Sequence, residues 1–267
     1  MAPSHNNTVL RSFIRKIRRR LRRLSPRSHP RILKYSGARN NVLHCCVAYN
    51  AHGGYCVPLA RAKRPAIQRI LSGEVYEPKT LAFIRKHCGD GDIVHAGTFF
   101  GDFLPALSID CVLPAKIWAF EPNPESFRCA KMTAEINGIE NIELMHAGLS
   151  SNATTLPFKI TDEEGVSLGG HSRFAEHTEE TKSQFVNVST VRLDEVIPNS
   201  RNVRILQLDV EGHEEQAVLG SLETIRRCQP ILILEKEFPA SWFEQHLPGL
   251  KYEPITKLHT NTVYSTE

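Results

Sequence analysis

The chain has 267 residues, long for one ordinary domain and short for two large ones, which allows one α/β domain with additions. With 41% hydrophobic and 23% charged residues and no run of about 20 apolar residues, neither a disordered chain nor a helical integral membrane protein fits. Seven cysteines, odd in number and never spaced CxxC, argue against a disulfide scaffold or a structural zinc site and for a reducing compartment, taken as the cytoplasm.

The net charge of +4 hides an asymmetry: 16 of the 33 Lys and Arg precede Glu74, the first acidic residue, leaving 17 against all 29 acids, a net of −12. Within residues 1–40, Leu10, Phe13, Ile14, Ile17, Leu21 and Leu24 recur at helical spacing among arginines, and Ser25-Pro26 ends the pattern. Residues 10–24 read as a basic amphipathic helix suited to an anionic membrane surface. The continuous apolar stripe and the lack of interleaved aromatics make nucleic acid the poorer partner. A cleaved targeting segment and a solvated tail are the other readings.

Residues 25–40 read as linker and 41–76 as a preamble. In it, Asn41 to Tyr49 and Gly54 to Val57 form a hairpin around Asn50-Ala51-His52-Gly53, and a helix follows from Pro65 to Leu71. From residue 77 to 267, strands at Asp92 to His95, Lys116 to Phe120, Ile142 to His146, Arg204 to Asp209 and Ile231 to Glu235 alternate with helices. The helices are read at Asp102 to Ile109, Pro124 to Asn137 and Glu214 to Arg227. Such alternation specifies an α/β fold with a doubly wound, mostly parallel sheet covered on both faces. Tyr252 to Thr256 and Thr262 to Ser265 read as a closing antiparallel hairpin.

In such sheets ligands bind beyond the carboxyl ends of the strands. The first strand ends in His95-Ala96-Gly97-Thr98-Phe99-Phe100-Gly101-Asp102, a glycine-bounded turn where backbone can approach a ligand closely. The second ends in Phe120-Glu121-Pro122-Asn123-Pro124. There Glu121 is placed to accept hydrogen bonds from a ribose diol, and Pro124 takes the first position of the next helix. The spacing departs from GxGxxG, which disfavours a nicotinamide cofactor. The fourth strand supplies Asp209-Val210-Glu211-Gly212-His213. Glu235, at the end of the fifth, joins Asp209 in a carboxylate cluster of the kind that holds divalent cations, although no metal is assigned.

Taken together, Ala96 to Phe103, Phe120 to Pro124, Leu193-Asp194-Glu195, Leu208 to Glu214 and Ile231 to Glu235 resemble the FkbM-type methyltransferases, which are S-adenosylmethionine-dependent O-methyltransferases. The resemblance covers residues 77–240 and implies the Rossmann-like methyltransferase fold. It also implies a cofactor site at Ala96, Gly97, Thr98, Phe99, Gly101 and Asp102 for the methionine portion, and Glu121, Pro122 and Asn123 for the ribose. Ala147 and Gly148 would border the adenine, and Asp209 the sulfonium. One departure is His95, where the family carries an acid; Asp102 is the substitute contact to the cofactor's amino group.

His213, beside Asp209 and Glu211, is the candidate general base for a hydroxyl acceptor, because its unperturbed pKa lies near 6.5. Gly165 to Arg173 reads as a loop over the acceptor site with His171 and Arg173 facing substrate, and Tyr49 to Pro58 as another acceptor wall. The acceptor implied by the resemblance is a hydroxyl of a sugar, glycan or secondary metabolite. Two other readings stay open: an oxidoreductase with another adenosine cofactor, and a non-catalytic, membrane-tethered binding protein with a degenerate pocket.

Overall fold

The computed structural model describes residues 42–111, 113–161, 168, 172–174 and 184–267. The basic helix expected near the start, residues Gly165 to Ser167 and Gly169 to His171 of the glycine-rich stretch lie outside them. Residues 43–267 form one compact unit, so the preamble belongs to the same body as the sheet.

Strands β1 (Cys45–Asn50) and β2 (Gly53–Pro58) pair antiparallel, with Asn50 opposite Gly53. The Asn50 side chain accepts from the His52 N–H at 2.8 Å, a local Asx turn that closes the hairpin. Helices α1 (Pro65–Leu71) and α2 (Pro78–His87) each open on a proline, whose missing N–H costs nothing in the first turn. Then come β3 (Asp92–Ala96), α3 (Leu104–Asp110), β4 (Ile117–Phe120), α4 (Pro124–Ile136) and β5 (Ile142–Met145). Four short strands follow: β6 (Gly148–Leu149), β7 (Thr154–Lys159), β8 (Arg173–Phe174) and β9 (Phe185–Val191). The chain continues through α5 (Leu193–Val196), β10 (Val203–Leu208), α6 (Glu214–Leu219), α7 (Leu222–Cys228), β11 (Ile231–Leu234) and α8 (Ala240–His246). It closes with β12 (Glu253–Leu258) and β13 (Asn261–Ser265).

The central sheet runs β12-β13-β11-β10-β3-β4-β5. The five strands from β11 to β5 are parallel, and β13 and β12 are antiparallel, as the closing hairpin requires. Alternate residues feed two cores. Val94, Trp118, Phe120, Leu206 and Leu232 meet Val218, Ile225 and Phe243 of α6, α7 and α8. Ile93, Ile117, Ile205 and Ile233 meet Ile84, Leu107 and Ala130 of α2, α3 and α4. Each fully buried side chain of this size contributes about 1.5–3 kcal/mol of transfer free energy.

At the amino end of the strands, Asp92 is almost wholly buried. It accepts from Trp118 Nε1 at 2.7 Å, Lys116 N at 2.9 Å and Arg201 Nε at 2.8 Å, with a second contact to Arg201 Nη2. The preamble hairpin docks on α4: Gly54 exchanges hydrogen bonds with the Asn137 carboxamide at 2.9 and 2.6 Å, and Cys56 N donates to Thr133 Oγ1 at 3.0 Å. All seven cysteines are free thiols.

Three sequence expectations change. The single helix over Glu214 to Arg227 is two helices, because Gly220 passes so close to Ser150 that a Cβ there would lie 2.0 Å from its carbonyl oxygen. Asp194 then caps α7, accepting from Thr224 N at 2.8 Å and Glu223 N at 3.2 Å. The expected loop from Gly165 to Arg173 ends in a short strand: Arg173 and Phe174 pair with Lys159 and Phe158, in a second sheet ordered β6-β9-β7-β8. Helices α2, α5 and α8 are additional to the expected set.

Candidate functional site

Strand order reverses between β3 and β10, from which the chain winds outward in opposite directions, and a crevice is expected at that switch point. A cavity of about 180 Å³ opens there. Its wall follows the rim strand by strand: Asp209 and Val210 after β10, Ala96 and Gly97 at the end of β3, Glu121 and Pro122 after β4, and Gly148 and Leu149 of β6.

Gly97 has φ +83°, and a Cβ on it would sit 1.8 Å from the Asp209 carbonyl oxygen, so only glycine lets the two strand ends come together. Phe99 follows in the left-handed region, φ +52°, a strained setting for an aromatic residue. That backbone aims the Phe99 N–H at Glu121 Oε2, 2.7 Å away, while Asn123 N donates to Oε1 at 2.8 Å. The carboxylate is thereby fixed with further acceptor capacity on each oxygen. Burial pushes Glu121 up to about 7, opposed by those two N–H groups and by Arg61.

Arg61 comes from the preamble. Its guanidinium donates to Ser126 Oγ at 2.8 Å, lies 3.5 Å from Glu125 and sits 5.9 Å from the Phe99 ring centroid. The preamble therefore clamps the glycine turn. Arg64, Pro65 and Ala66 line the cavity, rather than Tyr49 to Pro58 as expected.

On the β3–β10 side the cavity is acidic. Burial raises Asp102 to about 7, against its own and Phe103's N–H groups, and raises Asp209 well above the ordinary carboxylate range, reinforced by Glu235 and Glu211. On the β4–β6 side it is apolar. The Phe158 and Phe174 rings meet edge to face at 5.0 Å, and Phe174 packs so closely over Gly148 that a Cβ there would lie 2.5 Å from the ring.

Of the expected cofactor contacts, Ala96, Gly97, Phe99, Asp102, Glu121, Pro122, Gly148 and Asp209 line the cavity. Thr98, Gly101, Asn123 and Ala147 do not. Thr98 Oγ1 donates back to His95 O at 3.0 Å, Gly101 backs onto Ala130 and Thr133, and Asn123 caps α4 through Glu125 N and Ser126 N. Ala147 is buried off the wall. Among the expected catalytic residues, Asp209 and Glu211 line the cavity.

His213 sits behind that wall. Its Nε2 is 3.1 Å from Ser150 Oγ, its ring packs 4.6 Å from Phe174, and burial lowers its pKa. Among the described residues no group of three or more His, Cys, Asp or Glu could hold a metal ion. Sequence reading missed Tyr76, Leu149, Phe158, Phe174 and Gln207 on the wall.

A switch-point crevice with an oriented carboxylate, an apolar aromatic slot and an acidic opposite side defines an α/β protein with a small-molecule site at the carboxyl ends of its strands. The chain belongs to the Methyltransferase FkbM domain family, which it matches over residues 87–259. S-adenosylmethionine is the cofactor of such a methyltransferase. No curated protein matches the chain.

Among solved structures, a methyltransferase FkbM from Methylobacillus flagellatus is 13% identical with TM-score 0.44, over 66% of this chain and 44% of that one. This chain thus spans less than half of that protein. A SAM-dependent methyltransferase from Aquifex aeolicus is 14% identical with TM-score 0.42, over 77% and 94%. A Pyrococcus abyssi tRNA (uracil-54, C5)-methyltransferase in complex with S-adenosyl-L-homocysteine is 10% identical with TM-score 0.39, over 83% and 43%.

Proposed function

We propose that the protein is an O-methyltransferase that methylates a hydroxyl of a sugar, glycan or secondary metabolite. The residues present fit S-adenosylmethionine. Glu121 offers a carboxylate to the ribose, Gly148, Phe158 and Phe174 form a slot for the adenine, and Asp102 and Asp209 face a cationic methionine end. When bound, that cofactor supplies an electrophilic methyl group on a sulfonium. The chain's own contribution is alignment and proton management.

Asp209 takes over the base role from His213. Asp209 lines the cavity beside Glu211, where its carboxylate would receive the proton of an acceptor hydroxyl. Glu211, held at φ +52° in the strand-to-helix turn, lines the same stretch and orients the acceptor. Phe158, Phe174 and Leu149 keep water from the slot.

The observation that carries this reading is the Glu121 carboxylate, oriented by two backbone N–H groups on the cavity wall. Calorimetric titration with S-adenosylhomocysteine tests it. Wild-type protein binds, and Glu121→Ala loses about 100-fold, as expected for two charge-assisted hydrogen bonds; undiminished affinity in the variant overturns the reading.

No helix among the described residues is long and apolar enough to cross a membrane. We place the enzyme in the cytoplasm, held to anionic membrane through residues 10–24. Sedimentation with anionic vesicles tests this, and salt-insensitive or absent binding removes the membrane contact.

A further inference from the structure

The inner face of α4 is buried through Ser126, Cys129, Ala130, Thr133 and Ala134. Its outer face carries two rows, Lys131 with Glu135 and Met132 with Ile136, the members of each row one turn apart. Met132 and Ile136 are each 38% exposed. The preamble hairpin extends their row, with Val47 48% and Tyr49 68% exposed on β1.

These four side chains are contiguous. A Cβ on Gly54 would lie 2.7 Å from both Ile136 Cγ2 and Tyr49 Cε1, so those two flank a single point above the glycine. Met132 Sδ lies 3.7 Å from Cys56 Sγ, and Cys56 is paired with Val47 across the hairpin. One exposed apolar side chain needs no explanation, but four in one patch, Tyr and Met among them, mark a protein–protein surface.

The charges beside the patch select the partner. Lys131 and Glu135 are exposed, and among the described residues neither enters an ion pair. A row that runs cation then anion along a helix is its own complement once the helix is reversed. A two-fold axis level with Thr133 and Ala134 turns α4 of a second copy antiparallel. It sets Lys131 against Glu135 and Met132 against Ile136, each to within one residue's rise of about 1.5 Å. The same axis keeps each row on its own side, so Val47 and Tyr49 of both copies extend the apolar row. A partner of one charge sign, such as a nucleic acid or an anionic membrane, would complement only one member of the charged row.

We propose that the face formed by α4 and β1 is a two-fold interface between copies of this chain, with Val47, Tyr49, Met132 and Ile136 as its apolar centre and the Lys131–Glu135 pairs fixing an antiparallel register. None of these residues lines the cavity at the carboxyl ends of the strands, so assembly and ligand binding are separable.

Sedimentation equilibrium of the full chain tests the interface. Wild-type protein is a dimer that dissociates on dilution. Lys131→Glu and Glu135→Lys each set like charges face to face at two symmetric places, and each raises the dimer dissociation constant about tenfold. The double reversal, which exchanges the two charges, restores wild-type association. Tyr49→Lys raises the constant about 100-fold, as expected for an aromatic at the centre of an interface. All three positions are exposed, so the variants keep the wild-type circular dichroism and affinity for S-adenosylhomocysteine. A wild-type chain that is monomeric at every concentration overturns the proposal, as does a dimer that none of the three single substitutions weakens. Single reversals that weaken the dimer with no recovery in the double reversal overturn the antiparallel register.

Discussion

The two ends of the central sheet treat buried acids in opposite ways. At the amino end, Asp92 is enclosed and saturated, with donors from an indole, a backbone amide and a guanidinium. At the carboxyl end, Asp102 and Glu121 are buried and Asp209 half-buried, all three line a cavity, and burial raises the pKa of each. A saturated carboxylate is a structural joint. One held beside empty space costs stability and is retained where a ligand will complete it.

The contrast can be broken most forcefully at Asp92. Asp92→Ala strands Arg201 and the Trp118 N–H, and should cost about 3 kcal/mol in urea unfolding while leaving the folded protein's affinity for S-adenosylhomocysteine unchanged. A binding loss as large as the stability loss would show that the two ends are not independent. Gly97→Ala joins strain at positive φ to a clash with the Asp209 backbone; it should lower stability by about 2 kcal/mol and also impair cofactor binding, both read by thermal shift with and without ligand.

Acidity sharpens the same contrast. Glu121 rises from 4.5 to about 7 on folding, so the folded state binds the extra proton and stability falls as pH climbs through that window. Glu121→Gln should therefore gain on wild type steadily between pH 4.5 and 7, whatever fixed cost the amide brings. A gap that is flat with pH would mean the carboxylate is not held beside empty space. Smallest is the cap at the head of α4, where Asn123→Ala should cost about 1 kcal/mol by thermal denaturation with little change in affinity, since Asn123 serves the helix and not the cavity.

The parallel strands and the cavity's key acid were legible in the sequence because they are local. A run such as Ile117–Phe120, closed by Glu121 and followed by Asn123-Pro124, announces strand, rim residue and helix start within eight positions. The second sheet was not, since Pro157 interrupts the pattern of β7 and Arg173–Phe174 is too short to show any period. The direction of the His213 ring was not legible for a related reason. Its neighbours in sequence are acids of the site, but its ring turns to Ser150, 63 residues away.

By itself, then, the chain's order of apolar runs, glycines and acids determined the α/β winding and the place of Glu121 at a strand's carboxyl end, because each is written within one strand-turn-helix unit. Only the tertiary structure decided that Arg61 clamps the turn from outside the family segment, that Phe174 closes the slot over Gly148, and that His95 is hydrogen-bonded to Gln207, 112 positions distant. These arrangements depend on which distant side chains burial forces together, and no local period encodes that.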